Sequence, residues 1–170
     1  MVTSAKGCVA ARDSPMRTVE QEIADSGLFA GLEPSQFEFI AGCARFERVD
    51  AGTLLLREGE HADEFFLIRH GAVALELHAP TGPLVIQTLG DGEVVGWSWL
   101  FAPYTWHMDG RAVEPCSLVS FDAACLRGKV EQDHELGYQL MTRFAANLID
   151  RLQATRFQLI DVYGRAPAGA

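Results

Sequence analysis

The chain has 170 residues, 48% of them hydrophobic and 22% charged, with a formal net charge of -9 and a pI near 4.9. That is enough apolar material for one domain with a real core and too little length for a second. The acidic balance speaks against direct DNA binding, which depends on Lys and Arg neutralising phosphates, and no apolar run approaches the roughly 20 residues that a membrane-spanning helix needs.

Residues 1–17 mix Ser, Ala, Gly, Lys and Pro without periodicity and lack the apolar run of a secretory signal, so they are expected to form a flexible N-terminus. The ordered domain is expected over 18–163, and 164–170 is expected to be a flexible tail. Val19, Ile23, Leu28 and Phe29 predict a short amphipathic helix. Leu32-Glu33-Pro34-Ser35-Gln36 starts another, with Phe37, Phe39, Ile40 and Cys43 as its apolar set. From Arg45 to about Ala123 the texture changes to brief runs of Val, Leu, Ile and Phe, punctuated by Asp50-Ala51-Gly52, Glu58-Gly59-Glu60, His70-Gly71, Pro80-Thr81-Gly82-Pro83 and Gly90-Asp91-Gly92. Even punctuation of this kind marks an antiparallel sandwich or barrel. The expected strands are Thr53–Leu56, Glu64–Arg69, Ala72–His78, Leu84–Leu89, Arg111–Val113 and Ser117–Asp122.

Beyond Ala124 the period lengthens again. A short helix is expected around Cys125–Val130, followed by a long one over 133–163 that Asp133 caps and Gly164 and Pro167 stop. In it Tyr138, Met141, Ala145, Leu148, Leu152, Thr155, Leu159 and Val162 alternate three and four residues apart, a coiled-coil seam. Leu136, Leu140 and Phe144 lie on a neighbouring face. One stripe can therefore cover the β domain while the seam meets a second copy of the chain, or both can form a single wide face packed on the chain's own domain. The first arrangement is favoured and gives a parallel homodimer.

The four cysteines, Cys8, Cys43, Cys116 and Cys125, are scattered without a CxxC pair. They read as ordinary buried thiols in a reducing, cytoplasmic setting. His61, His70, His78, His107 and His134 form no HxH or HxxxH set, so no metal site is expected. Ser98 is not in a Gly-x-Ser-x-Gly elbow, and no Walker or Rossmann glycine pattern occurs. No catalytic residue, and no enzymatic activity, is expected.

Several strings together resemble one family. Leu56-Arg57-Glu58-Gly59-Glu60-His61-Ala62-Asp63 looks like its turn between early strands, and Phe66-Leu67-Ile68-Arg69-His70-Gly71-Ala72-Val73 like the strand, glycine and strand that follow. Gly92-Glu93-Val94-Val95-Gly96-Trp97-Ser98-Trp99-Leu100-Phe101 looks like its phosphate-binding cassette. Over roughly Leu28 to Val162 the chain is similar to cyclic-nucleotide-binding domains, those of catabolite-activator and FNR-type regulators. The resemblance implies an α+β, mainly β fold: an antiparallel double-stranded β-helix, or jelly-roll-like β-roll, with short N-terminal helices and a long C-terminal dimerisation helix. It also implies a cytoplasmic regulatory protein.

In that family a Glu beside the cassette glycine takes the ribose hydroxyl, and an Arg about ten positions on takes the cyclic phosphate. Gly96 matches the glycine, but Trp97 stands at the Glu position and Trp106 at the Arg position. All three tryptophans, with Trp99, fall in this short stretch. His107 sits where the family has a small hydroxyl residue, Arg151 matches an Arg near the phosphate, Thr155 a Thr that contacts adenine, and Arg156 follows where it could reach the partner's pocket. Gly96, Trp97, Ser98, Trp99, Trp106, His107, Arg151, Thr155 and Arg156 are thus the candidate ligand residues. No cofactor is certain. A small effector is possible, and cAMP bound in the usual way is disfavoured. Family regulators continue into a helix-turn-helix domain, whereas only Gly164–Ala170 follows the long helix here, so no DNA-reading domain is expected. Three readings remain: a homodimeric sensor, a ligand-free subunit docking on a partner protein, and cyclic nucleotide binding through a rearranged pocket.

Overall fold

The computed structural model describes residues 17–164, with side chains to Phe157. The expected flexible ends, apart from Arg17 and Gly164, lie outside the described residues. Thr18 and Gln21 cap one another reciprocally and open α1 (Val19–Asp25). The apolar spacing predicts one helix through Phe29, but α1 stops at Asp25. Ser26 turns extended and binds the Ile23 carbonyl with its hydroxyl, and Leu28 and Phe29 enter the core from a separate single turn, Gly27–Phe29. Proline at its first position suits the start of α2 (Pro34–Ala41). Cys43 lies beyond that helix.

Eight strands follow: β1 (Ala44–Val49), β2 (Leu54–Leu56), β3 (Glu64–His70), β4 (Val73–Ala79), β5 (Gly82–Leu89), β6 (Val94–Val95), β7 (Asp109–Ala112) and β8 (Cys116–Asp122). They form two four-stranded antiparallel sheets, ordered β1-β8-β3-β6 and β2-β7-β4-β5, which is the jelly-roll arrangement. The six expected strands are present within two residues of their ends; β1 and β6 are additions. Arg45-Phe46-Glu47-Arg48 carries too much charge to read as a strand. It works as an edge, with Arg45 paired to Glu64 and Phe46 lying under the Arg69 guanidinium. Two valines alone give β6 no periodicity to detect.

After β8, Asp122 accepts the Cys125 N–H and starts α3 (Ala123–Gln132), and Asp133 accepts the Leu136 N–H at the head of α4 (His134–Gly164). On α4, Leu136, Leu140 and Phe144 are buried against the domain, while Tyr138, Met141, Ala145, Leu148 and Leu152 are exposed. The side chains of Leu159 and Val162 lie outside the described residues.

The core is centred on Phe65 of β3. Its ring stacks on Phe121 of the paired strand at 4.5 Å and on Trp99 at 4.6 Å, with Phe144 of α4 edge-on at 5.8 Å. Alternation along β3 then sends Phe66 and Ile68 to the opposite side, toward the second sheet.

The cysteines overturn the expectation of four thiols. Cys43, in the turn before β1, is bonded to Cys125 in the first turn of α3, across 82 residues of sequence. Scattered spacing hid a pair that the fold brings together, because β1 and α3 flank β8 at the same end. Cys116 is a free, buried thiol that donates to the Ala72 and Glu114 carbonyls.

Phe65→Ala removes the ring shared by β8, the cassette and α4. It is expected to cost about 3–5 kcal/mol, read as a fall in the urea midpoint at unchanged slope.

Candidate cassette site

The cassette begins where β6 ends. Gly96 has φ +97°, a conformation that L side chains rarely adopt, and a Cβ built on it would lie 2.7 Å from the Trp106 ring. Glycine is thus required twice, for its backbone and for the indole that covers it. Trp106 is 6% exposed and is fixed by its backbone, which donates to the Glu60 carbonyl and accepts from the Gly59 N–H, both at 2.9 Å.

The turn Ser98–Leu100 follows Trp97 directly. It buries Trp99 to 1% exposure between Phe65 and Phe144. The indole N–H of Trp99 has no hydrogen-bond partner among the described residues, a deficit of about 1–3 kcal/mol set against the apolar area that the ring buries. Half-buried Trp97 meets Phe144 edge-on at 5.4 Å, so all three indoles pack on protein atoms.

Arg151 reaches the same place from α4. Its guanidinium lies 5.1 Å from the Trp97 ring centre and donates to the Val94 carbonyl at 3.2 Å and the Gln87 side chain at 3.1 Å. Among the described residues no carboxylate approaches it within 4.0 Å. Desolvation lowers its pKa from the ordinary arginine value, partly opposed by the field of Glu93. Even so, it stays a cation at neutral pH. Glu93 is engaged elsewhere, accepting the Gly90 N–H at 2.7 Å.

Of the candidate residues, the fold therefore gathers Gly96, Trp97, Trp99, Trp106 and Arg151. Thr155 is half-buried, but its hydroxyl donates to the Arg151 carbonyl of its own helix at 2.9 Å. Ser98 is half-buried in the turn, while His107 and Arg156 are exposed. Sequence reasoning missed Gln87, the Val94 carbonyl and Arg127. Arg127 of α3 donates to the Trp99 carbonyl at 2.9 Å and lies 4.4 Å from the Tyr104 ring centre, tying the cassette to that helix. No local pattern marks any of the three; each becomes visible only through its partner in space.

Residues 46–133 match the family model described as the cyclic nucleotide-binding domain. The chain belongs to that family. It is 26% identical over 145 residues to the CRP-like cAMP-activated global transcriptional regulator of Mycobacterium tuberculosis, a match covering 85% of this chain and 63% of that protein. The chain thus spans less than two thirds of the curated relatives it matches. Among solved structures, a cyclic nucleotide-binding protein from Geobacter metallireducens superposes with a TM-score of 0.71 at 28% identity, covering 81% of this chain and 99% of that one. A cyclic nucleotide-binding domain from Methylobacillus flagellatus, at 18% identity, TM-score 0.70 and coverages of 90% and 84%, shares the fold. No described helix is long and apolar enough to cross a membrane, and the described residues hold no cluster of three or more His, Cys, Asp or Glu suited to a metal ion.

Gly96→Ala in this cyclic nucleotide-binding domain is expected to destabilise by about 2–4 kcal/mol, from backbone strain and the clash with Trp106. In a double-mutant cycle with Trp106→Ala the combined loss should fall short of the sum of the single losses, because the clash vanishes with the ring. Urea denaturation of the four proteins measures it.

Proposed function

We propose that this chain is a non-enzymatic regulatory domain that works as a homodimer through α4 and does not hold cyclic nucleotides in the manner of its family. The observation that carries this reading is the Trp106 indole, buried against Gly96 at the position where family members have the phosphate-binding Arg. Trp97, in place of the ribose-binding Glu, is turned to Phe144 and Arg151. A charge-assisted hydrogen bond contributes about 1.5–3 kcal/mol. Losing both anchors therefore weakens nucleotide binding by about 3–6 kcal/mol, or roughly a hundredfold to ten-thousandfold. An effector of this domain would meet Arg151 and the face of Trp97 at the junction of cassette and α4, and its output would be a change in dimer geometry.

Dimerisation is supported by the face that α4 leaves open. Tyr138 is 71% exposed, Leu152 51% and Phe157 68%, beside exposed Met141, Leu148 and Ile149. A stripe of this size on one helix is what a second copy would cover. A second reading, a ligand-free subunit that docks on a partner protein, is favoured by the near-complete burial of Trp99 and Trp106 against protein atoms.

Calorimetry with cAMP, cGMP and cyclic dinucleotides is expected to show no binding at micromolar concentrations; a micromolar isotherm for any of them would overturn the proposal. For the dimer, Leu152→Glu places two like charges in the seam and is expected to halve the mass seen by light scattering. An unchanged dimer mass would remove α4 as the interface.

A further inference from the structure

We propose that the Cys43–Cys125 bond is a thiol–disulfide exchange site, and that its redox state sets how firmly α3 holds the cassette. The bond fastens a helix that contacts α2, the cassette turn and α4. Cys125 stands in the first turn of α3, whose next turns carry Arg127 to the Trp99 carbonyl and the Tyr104 ring, and whose end passes through Asp133 into α4. On the other side, Cys43 joins the end of α2 to β1 and accepts the Asp122 N–H at 2.8 Å. Lys129 adds a noncovalent clasp, donating to the Phe39 carbonyl with its ammonium over the Phe39 ring. With the disulfide broken, the N-terminal turn of α3 would rest on the Asp122 cap, on the backbone bonds from the Asp122 and Ala123 N–H groups to the Cys43 and Asp63 carbonyls, and on packing.

The two cysteines differ in exposure. Cys43 is 6% exposed, whereas Cys125 is half-buried on the outer helix. Exchange is therefore directed to Cys125. A thiolate of a dithiol reductant attacks the Cys125 sulfur, the bond to Cys43 breaks, and Cys43 leaves as a thiolate that takes up a proton. The second thiol of the reductant then displaces Cys125 and closes the reductant's own disulfide. Two electrons pass from the dithiol to the protein, and both cysteines end as thiols. Cys116 stays outside this chemistry: burial pushes its pKa up, and its thiol is spent on two backbone carbonyls.

The test uses the full chain. Cells quenched in acid, and their protein then unfolded and alkylated at neutral pH without reductant, should yield a chain with two of its four cysteines alkylated, and peptide mapping should find Cys43 linked to Cys125. Full alkylation of all four would overturn the proposal. Hydrogen exchange is then compared between the oxidised protein, the same protein reduced by dithiothreitol, and the Cys43→Ser/Cys125→Ser variant. Amides of 123–132 and 97–106 are expected to exchange about tenfold faster in both thiol-only forms, with β3 and β8 unchanged. Equal exchange in the oxidised and reduced wild type would overturn it, whatever the variant does; so would a uniform rise across the whole chain, which marks a purely structural bond.

Discussion

The stack of Phe121, Phe65 and Trp99, closed at its edge by Phe144, is the contact on which the rest of the molecule depends. Each ring comes from a different element: β8, β3, the cassette turn and α4. Aromatic pairs at these separations add about 0.5–1.5 kcal/mol each beyond the area they bury, but their larger effect is geometric. Because Phe65 has only two faces, Trp99 has one place to go, and the cassette turn takes its position from the sheet. Helix α4 is then seated on the cassette rather than beside it.

That seating explains why the interior was easier to read than the site. Brief apolar runs set off by Gly-, Pro- and Asp-bearing turns located six strands. Asp133 marked the head of α4, and the neighbouring stripe of Leu136, Leu140 and Phe144 is buried where helical spacing places it. What escaped was whatever pattern does not encode. β1 hides its strand character behind charges that an edge tolerates, and β6 is two residues long. Within the site, the gathering of Trp97 and Arg151 followed the family resemblance, but the use of each did not. Thr155 looked free to meet a ligand, yet in a helix its hydroxyl has an acceptor four residues back. Gln87 and the Val94 carbonyl bind Arg151 from 64 and 57 residues away, a distance that leaves no trace in sequence.

α3 is short, but it stands at the crossing of these relations. It is bonded to the α2–β1 junction through Cys125, to the cassette through Arg127 and to α4 through the Asp133 turn. A shift of this helix would therefore move the cassette and α4 together. The aromatic cassette gives such an element something rigid to act on.

The edge-on contact of Trp97 with Phe144 also changes what conditions the link between cassette and helix answers to. Where a cassette grips its helix through paired charges, ionic strength weakens the grip. An indole set against a phenyl ring is nearly indifferent to salt, but its apolar burial fades on cooling. In this member of the family the Trp97–Phe144 part of the joint between cassette and α4 is expected to answer to temperature more than to ionic strength.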